Sequence, residues 1–135
     1  MPVPIDLSSI KKVTLAPPPT QPPLCCRCGQ AGERFITRSS NRKGNAGRPY
    51  YKCLPCDKFL VFDDYRGNDS TNIECYCGDS SKRQVAGRPK RRAGLLHYVC
   101  RHGRCDFFSP YKDIEGMDVI IDVDLVERLS QLKFI

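Results

Sequence analysis

The stretch that decides the fold opens with Cys25-Cys26-Arg27-Cys28-Gly29 and is answered further along by Cys75-Tyr76-Cys77-Gly78. Aligned on these pairs, the chain repeats itself. Ala46-Gly47-Arg48-Pro49-Tyr50-Tyr51-Lys52-Cys53 faces Ala93-Gly94-Leu95-Leu96-His97-Tyr98-Val99-Cys100, and Cys56-Asp57-Lys58-Phe59 faces Cys105-Asp106-Phe107-Phe108. Two close cysteine pairs brought from separate turns supply the tetrahedral thiolate set that zinc takes. In the register of the repeat the ligands are Cys26, Cys28, Cys53 and Cys56 in the first module and Cys75, Cys77, Cys100 and Cys105 in the second. That arrangement calls for two structural zinc ions. Gly29 and Gly78 let the backbone turn away from the metal without a Cβ clash. Cys25 stands beside Cys26 as a competing ligand, which the repeat register leaves spare. His102 lies between Cys100 and Cys105 and can replace one of them, although the first module does the same job with Cys56.

A chain of 135 residues with 40% hydrophobic content is long enough for one ordinary domain, but its apolar residues are scattered and it has no Trp and only 9% aromatics. Domains below ~70 residues rarely hold together by apolar burial alone. Nine cysteines offer the alternative, as metal ligands or as disulfides. The opening segment has no basic region leading into an apolar one with a cleavage site, and the odd count leaves one cysteine over in any all-disulfide scheme. Metal ligation inside the cell is therefore the expected chemistry. No run reaches the ~18 apolar residues that span a bilayer, so no membrane partner is expected.

Residues 1–24 hold seven of the eleven prolines, including Pro17-Pro18-Pro19 and Pro22-Pro23, and are expected to form a disordered leader or a polyproline ligand. Residues 25–65 and 73–112 are the two modules, joined by a linker of turn formers over 66–72. Short strands are expected at Glu33–Arg38, Pro49–Lys52 and Lys58–Asp63, and again at Ser81–Val85, Leu96–Cys100 and Asp106–Ser109. The phenylalanines Phe35, Phe59, Phe62, Phe107 and Phe108 are expected to fill small cores beneath the metal. Residues 113–135 form an acidic and aliphatic tail. In it Leu125, Val126, Leu129 and Leu132 recur at helical spacing, predicting an amphipathic helix over Asp122–Lys133 whose stripe packs on the second module or serves self-association or a protein partner.

The net charge of +7 is unevenly spread: residues 25–72 carry +4, residues 73–109 carry +5, and residues 110–135 carry −3. A basic middle of this kind suits a phosphate-backbone binder.

Taken together, C-x-C-G, then Asn45, Gly47, Arg48, Tyr50, Tyr51 and Cys53, then Cys56 with Phe59 and Asp63 downstream, resembles the GRF-type zinc finger. The resemblance implies two tandem zinc-stabilised fingers spanning residues 25–112. Each would be a short three-stranded antiparallel sheet shaped like a claw, holding one zinc and binding single-stranded nucleic acid. Carried onto this chain, it makes Arg48 the nucleic-acid contact, supported by Lys52, Arg42 and Lys43, with Tyr50 or Tyr51 as a stacking face. The second finger departs from the pattern, since Leu95 stands where Arg48 does and His97 where Tyr50 does. Its loop carries Ala86-Gly87-Arg88-Pro89-Lys90-Arg91-Arg92, which is similar to an AT-hook except that Ala86 stands where an arginine is expected. Arg88, Lys90, Arg91 and Arg92 are then candidate phosphate contacts.

The expected function is zinc-dependent binding of nucleic acid, with single-stranded DNA favoured and RNA as the other candidate. The rival is a protein-interaction adaptor that uses the fingers as scaffold and the Pro-rich leader and C-terminal helix as partner sites. Catalysis finds no support: both histidines lie next to predicted ligands, the carboxylates form no catalytic pair, and no Gly-rich loop precedes a helix. No small-molecule substrate is expected. The presumed ligand and the Lys90–Arg92 cluster suggest nuclear residence.

Overall fold

Each cysteine knuckle leads into a three-stranded antiparallel sheet. The computed structural model describes residues 14–38, 44–87 and 92–135. The first sheet contains β1 (Glu33–Ile36), β2 (Pro49–Cys53) and β3 (Lys58–Phe62) in that order, and the second contains β4 (Lys82–Val85), β5 (Leu96–Val99) and β6 (Phe108–Pro110) in that order. The repeat holds residue by residue: Glu33 pairs with Lys52 as Lys82 pairs with Val99, and Arg34 with Tyr51 as Arg83 with Tyr98. The loop entering each middle strand closes in the same way. The Gly47 amide donates to the Thr37 carbonyl, and the Gly94 amide to the Ala86 carbonyl. Both glycines have positive φ, 71° and 86°, which accounts for the Ala-Gly pair common to the two modules.

The first core is small and sits on one face of its sheet: Cys25, Tyr51, Cys53, Leu60 and Val61. A β-bulge between Tyr51 and Lys52 leaves Leu60 unpaired, with Val61 opposite Tyr51 and Phe59 opposite Lys52. Residues three apart normally lie on opposite faces of a strand. The extra residue brings Phe59 and Phe62 to the same face, away from the core. The expectation that Phe35, Phe59 and Phe62 fill the core is thereby corrected: the bulge brings Phe59 and Phe62 to the outer face, where Phe35 of β1 stands opposite Tyr50.

The second core draws on the tail for much of its volume. Leu96 packs with Val119, Ile121, Leu129 and Ile135, joined by Val85, Tyr111, Leu125, Val126 and Phe134. The tail first pairs with the start of β5 and the loop before it, through Leu96 N–H to the Val119 carbonyl and Ile121 N–H to the Gly94 carbonyl. It then forms α1 (Val123–Gln131), whose Leu125, Val126 and Leu129 turn onto the second module. Leu132 caps the helix and stays outside the core.

Residues 66–72, expected to be a linker, are structural. Asn68 is fully buried, and its side-chain amide donates to the carbonyls of Ala16 and Asp64. The Asn72 amide donates to those of Gly67 and Ser81. Gly67 has φ 75°, and a Cβ there would collide with the Arg83 carbonyl, so no other residue fits without displacement. The described part of the leader is ordered by this segment. Ala16 N–H donates to the Asn68 carbonyl, Ser70 N–H to that of Thr14, and an Arg101 guanidinium nitrogen to that of Pro17. Backbone groups that prolines leave unpaired thus find partners here; residues 1–13 lie outside the described residues.

One carboxylate ties the two modules together. Asp64 accepts two bonds from Arg48 of the first module, at 2.6 and 3.2 Å, and one from Lys82 of the second, at 2.8 Å. Lys82 is fully buried, and its ammonium also reaches the Asp64 carbonyl at 3.0 Å and Asn68 Oδ1 at 3.1 Å. Burial pushes the Lys82 pKa from 10.5 down to about 8, against the opposing pull of Asp64. Burial raises the Asp64 carboxyl, but the Arg48 and Lys82 charges outweigh it and hold the group below its usual range.

Removing a buried pair's partner costs about 3–5 kcal/mol, because the remaining charge is left uncompensated. Asp64→Ala should therefore lose about that much in chemical denaturation, far more than Asp113→Ala on an exposed turn. The Lys82 ammonium should titrate near pH 8 in a side-chain NMR experiment. Folding lowers its pKa, so the folded chain gives up this proton before the unfolded one. The group's contribution to stability accordingly rises between pH 8 and 10.5.

Candidate metal centres and nucleic-acid face

The two knuckles and the two β-hairpins deliver four thiols to each of two points. The Sγ atoms of Cys25, Cys28, Cys53 and Cys56 all lie within 4.8 Å of one another, as do those of Cys75, Cys77, Cys100 and Cys105. Individual separations are 3.4 Å for Cys28–Cys53, 3.9 Å for Cys25–Cys56 and 3.9 Å for Cys77–Cys100. Four sulfurs about 2.3 Å from a tetrahedral zinc stand roughly 3.8 Å apart. Both groups fit zinc, and each can hold one ion. All nine cysteines are free thiols.

The two knuckles have the same wiring. The Cys25 amide donates to the Gln30 carbonyl and the Cys75 amide to that of Asp79. The amide two residues on points at the sulfur in both, Arg27 N–H to Cys25 and Cys77 N–H to Cys75, at 3.4 Å each. In the metal-free chain the Arg27 amide, followed by that of Cys28, draws the Cys25 thiol down to about 6. Such amides stabilise the thiolate that a metal requires.

This wiring corrects the first ligand set. Cys25, buried in the core, occupies the position of Cys75, while Cys26 is exposed and outside the group. The first knuckle is one residue longer than the second: its flanking bridge joins Leu24 to Ala31, whereas the second joins Glu74 to Ser80. The doubled cysteine therefore mimicked a C-x-C pair. The spacing Cys53-Leu54-Pro55-Cys56 in the same module was the available signal for a two-residue knuckle. His102 stays out of the second group, with Nε2 2.9 Å from Asp79 Oδ2.

Arg48 does not face solvent. Its side chain is 4% exposed, with Asp64 and Asn45 taking its hydrogens and the Phe62 ring 3.8 Å beneath its guanidinium carbon. The expectation that Arg48 contacts nucleic acid is corrected: this position is a core position in both modules, since Leu95 at the matching place is buried as well. Tyr51 is also buried, in the first core, so of the two tyrosines only Tyr50 is on the outer face.

There Tyr50 lies between Phe35 and Phe59, stacked at 5.7 Å from each, with Phe62 edge-on at 6.3 Å. These rings line an open groove of about 710 Å³ that Arg38, Asn45 and Lys52 complete. Lys52 is one-third exposed and paired with the exposed Asp57 at 2.6 Å. The matching face of the second sheet is different. His97 is buried and donates from Nδ1 to the Leu95 carbonyl, so its Nε2 accepts from the Gln84 amide, with Phe108 4.8 Å from its ring. Arg92 is paired with Asp118. Arg42, Lys43, Arg88, Lys90 and Arg91 lie outside the described residues.

Residues 22–66 match the family model for a GRF-like zinc ribbon domain, and that segment is such a ribbon. The second four-cysteine group, with its own sheet, fits a divergent second finger. No curated protein and no solved structure matches the chain.

The exchange of ligands is directly measurable by native mass spectrometry. Cys26→Ser should retain two zinc ions, whereas Cys25→Ser should lose one, with the loss of first-module structure that follows removal of a structural ligand. The reverse pattern would restore Cys26 as the ligand.

Proposed function

We propose that this chain, a GRF-like zinc ribbon over residues 22–66, binds single-stranded nucleic acid on the outer face of its first sheet. The observation that carries this reading is the ring cluster of Phe35, Tyr50, Phe59 and Phe62, lining an open groove with Arg38 and Lys52. Aromatic faces next to cations are what sequence-tolerant single-strand binders use: bases stack on the rings, and phosphates meet the charges. Exposed ion pairs such as Lys52–Asp57 contribute little, so Lys52 can turn from Asp57 to a phosphate at small cost. Arg42 and Lys43 add positive charge to the connection between β1 and β2, and the whole chain carries +7.

In this reading the zinc ions are structural and the chain does no chemistry of its own. Four thiolates complete each ion's coordination and leave no position for a reactive water. Among the described residues, parts of the two segments that would serve a protein adaptor are engaged internally. The apolar stripe of α1 packs into the second core, and residues 14–17 pair with 68–70 and Arg101.

Fluorescence anisotropy of the zinc-loaded chain should show single-stranded DNA bound more tightly than duplex, with affinity falling as salt rises. RNA of the same sequence is the natural comparison. Tyr50→Ala should cost about 1–3 kcal/mol of binding, the worth of one stacked base, while zinc content stays at two ions. Arg48→Ala should lower stability through the loss of its Asp64 pair. Absence of binding at low salt, or a Tyr50→Ala chain that binds as well as the parent, would refute the groove as the site.

A further inference from the structure

The turn that opens the tail presents apolar side chains to solvent on a well-bonded frame. An antiparallel bridge joins Lys112 to Asp118, and Asp118 also takes ion pairs from Lys112 and Arg92 at the base of the turn. Above it the Asp113 amide donates to the Met117 carbonyl and the Gly116 amide to the Asp113 carbonyl, both at 2.9 Å. The amides of Glu115 and Met117 both donate to Asp113 Oδ1, again at 2.9 Å. Gly116 supplies the positive φ, 79°, that closes the loop. On this frame Ile114 is wholly exposed and Met117 is 60% exposed. A single exposed aliphatic residue is ordinary, but two held on one ordered tip form a knob that another surface can cover without first having to order it.

Charge indicates what covers the knob. Asp118 is neutralised by its two cations, whereas Asp113 and Glu115, on either side of Ile114, pair with no cation among the described residues. The tip is therefore apolar and acidic. The groove on the outer face of the first sheet has the complementary character: four aromatic rings and the exposed Ile36 line about 710 Å³ of open space together with Arg38 and Lys52. Lys52 is held only by the exposed Asp57, a weak pair that another carboxylate can replace. Aromatic rings also suit the Met117 thioether, which makes favourable contacts with them. Ile114 is uncovered by its own chain, so the groove that takes it belongs to another copy. The net charge of +7 opposes the approach of two copies at long range, and moderate salt screens that repulsion.

We propose that the Asp113–Met117 turn docks in the aromatic groove of a second copy of this chain, with Ile114 and Met117 against the rings and the two carboxylates beside Arg38 and Lys52. A contact made by one turn is smaller than a standard interface, so the association is weak, with Kd on the order of 0.1–1 mM. The groove is the one assigned above to single strands. Resting on that reading, self-association and nucleic-acid binding exclude one another, and a strand that enters the groove releases the second copy.

The test is sedimentation equilibrium of the full zinc-loaded chain at about 0.15 M salt and at chain concentrations up to about 1 mM. The parent should self-associate. Ile114→Asp and Tyr50→Ala should each weaken the association at least about tenfold with two zinc ions retained, and Ile114→Asp should leave the melting temperature unchanged because that side chain is wholly exposed. Mixed in equal amounts, the two variants should associate again, since one keeps the groove and the other keeps the knob. A short thymidine oligomer should dissolve this mixed complex. A parent that stays monomeric, an Ile114→Asp chain that associates as the parent does, or a mixture that remains monomeric would overturn the docking. A mixed complex that survives an oligomer bound to the Ile114→Asp chain would overturn the competition. An oligomer that binds neither variant nor the parent counts against the nucleic-acid reading alone, because the docking is read without it.

Discussion

Everything in this chain depends on two sets of four thiols that draw each knuckle against its hairpin. A three-stranded sheet of four- and five-residue strands cannot bury enough apolar surface to order itself. The first core has five residues, and two of them, Cys25 and Cys53, belong to the metal group. Zinc binding and folding are therefore one process in this module. The second module lightens the demand on its metal by recruiting the tail, whose Val119, Ile121, Leu129 and Ile135 supply most of its fully buried residues.

The second constraint is the junction. Two fingers on a flexible tether would move independently, but here the connection is built from the half-buried Asp64 and the buried Gly67, Asn68 and Asn72. A half-buried carboxylate shared by the buried Arg48 and Lys82 is a weak source of net stability, because desolvation offsets much of the attraction. Its effect is geometric. Any displacement of one module from the other strands a charge, so the relative position of the two sheets is strongly specified.

Much of this was legible in the amino-acid sequence. The paired cysteines, the Ala-Gly turns, the six strands and the helix all follow from spacing and periodicity, and the GRF-type resemblance is met by the family match over residues 22–66. Four features were hidden. Cys25 and Cys26 are chemically equivalent on paper, and only the extra residue in the first knuckle separates them. The outward turn of Phe59 and Phe62 depends on a bulge, which no alternation rule anticipates. Arg48 was masked by its charge; Leu95 at the matching position was the signal that the site is buried. Gly67, Asn68 and Asn72 have a turn-former composition whether they form a loop or, as here, the joint of the molecule.

The two sheets share a plan and differ in what they present. The first offers stacked rings with cations beside them; the second closes the same face with His97 and Gln84 bonded to each other. The division suits one finger for contact and the other for support. Its premise is that both metal centres are structural, and hydrogen exchange of the chain after complete zinc removal addresses that most directly. On this account the amides of β2 and β5 lose their protection together and the chain behaves as unfolded. Slow exchange persisting in both strands without metal would mean that apolar packing and the Asp64 junction suffice, and that the thiol clusters serve some other chemistry.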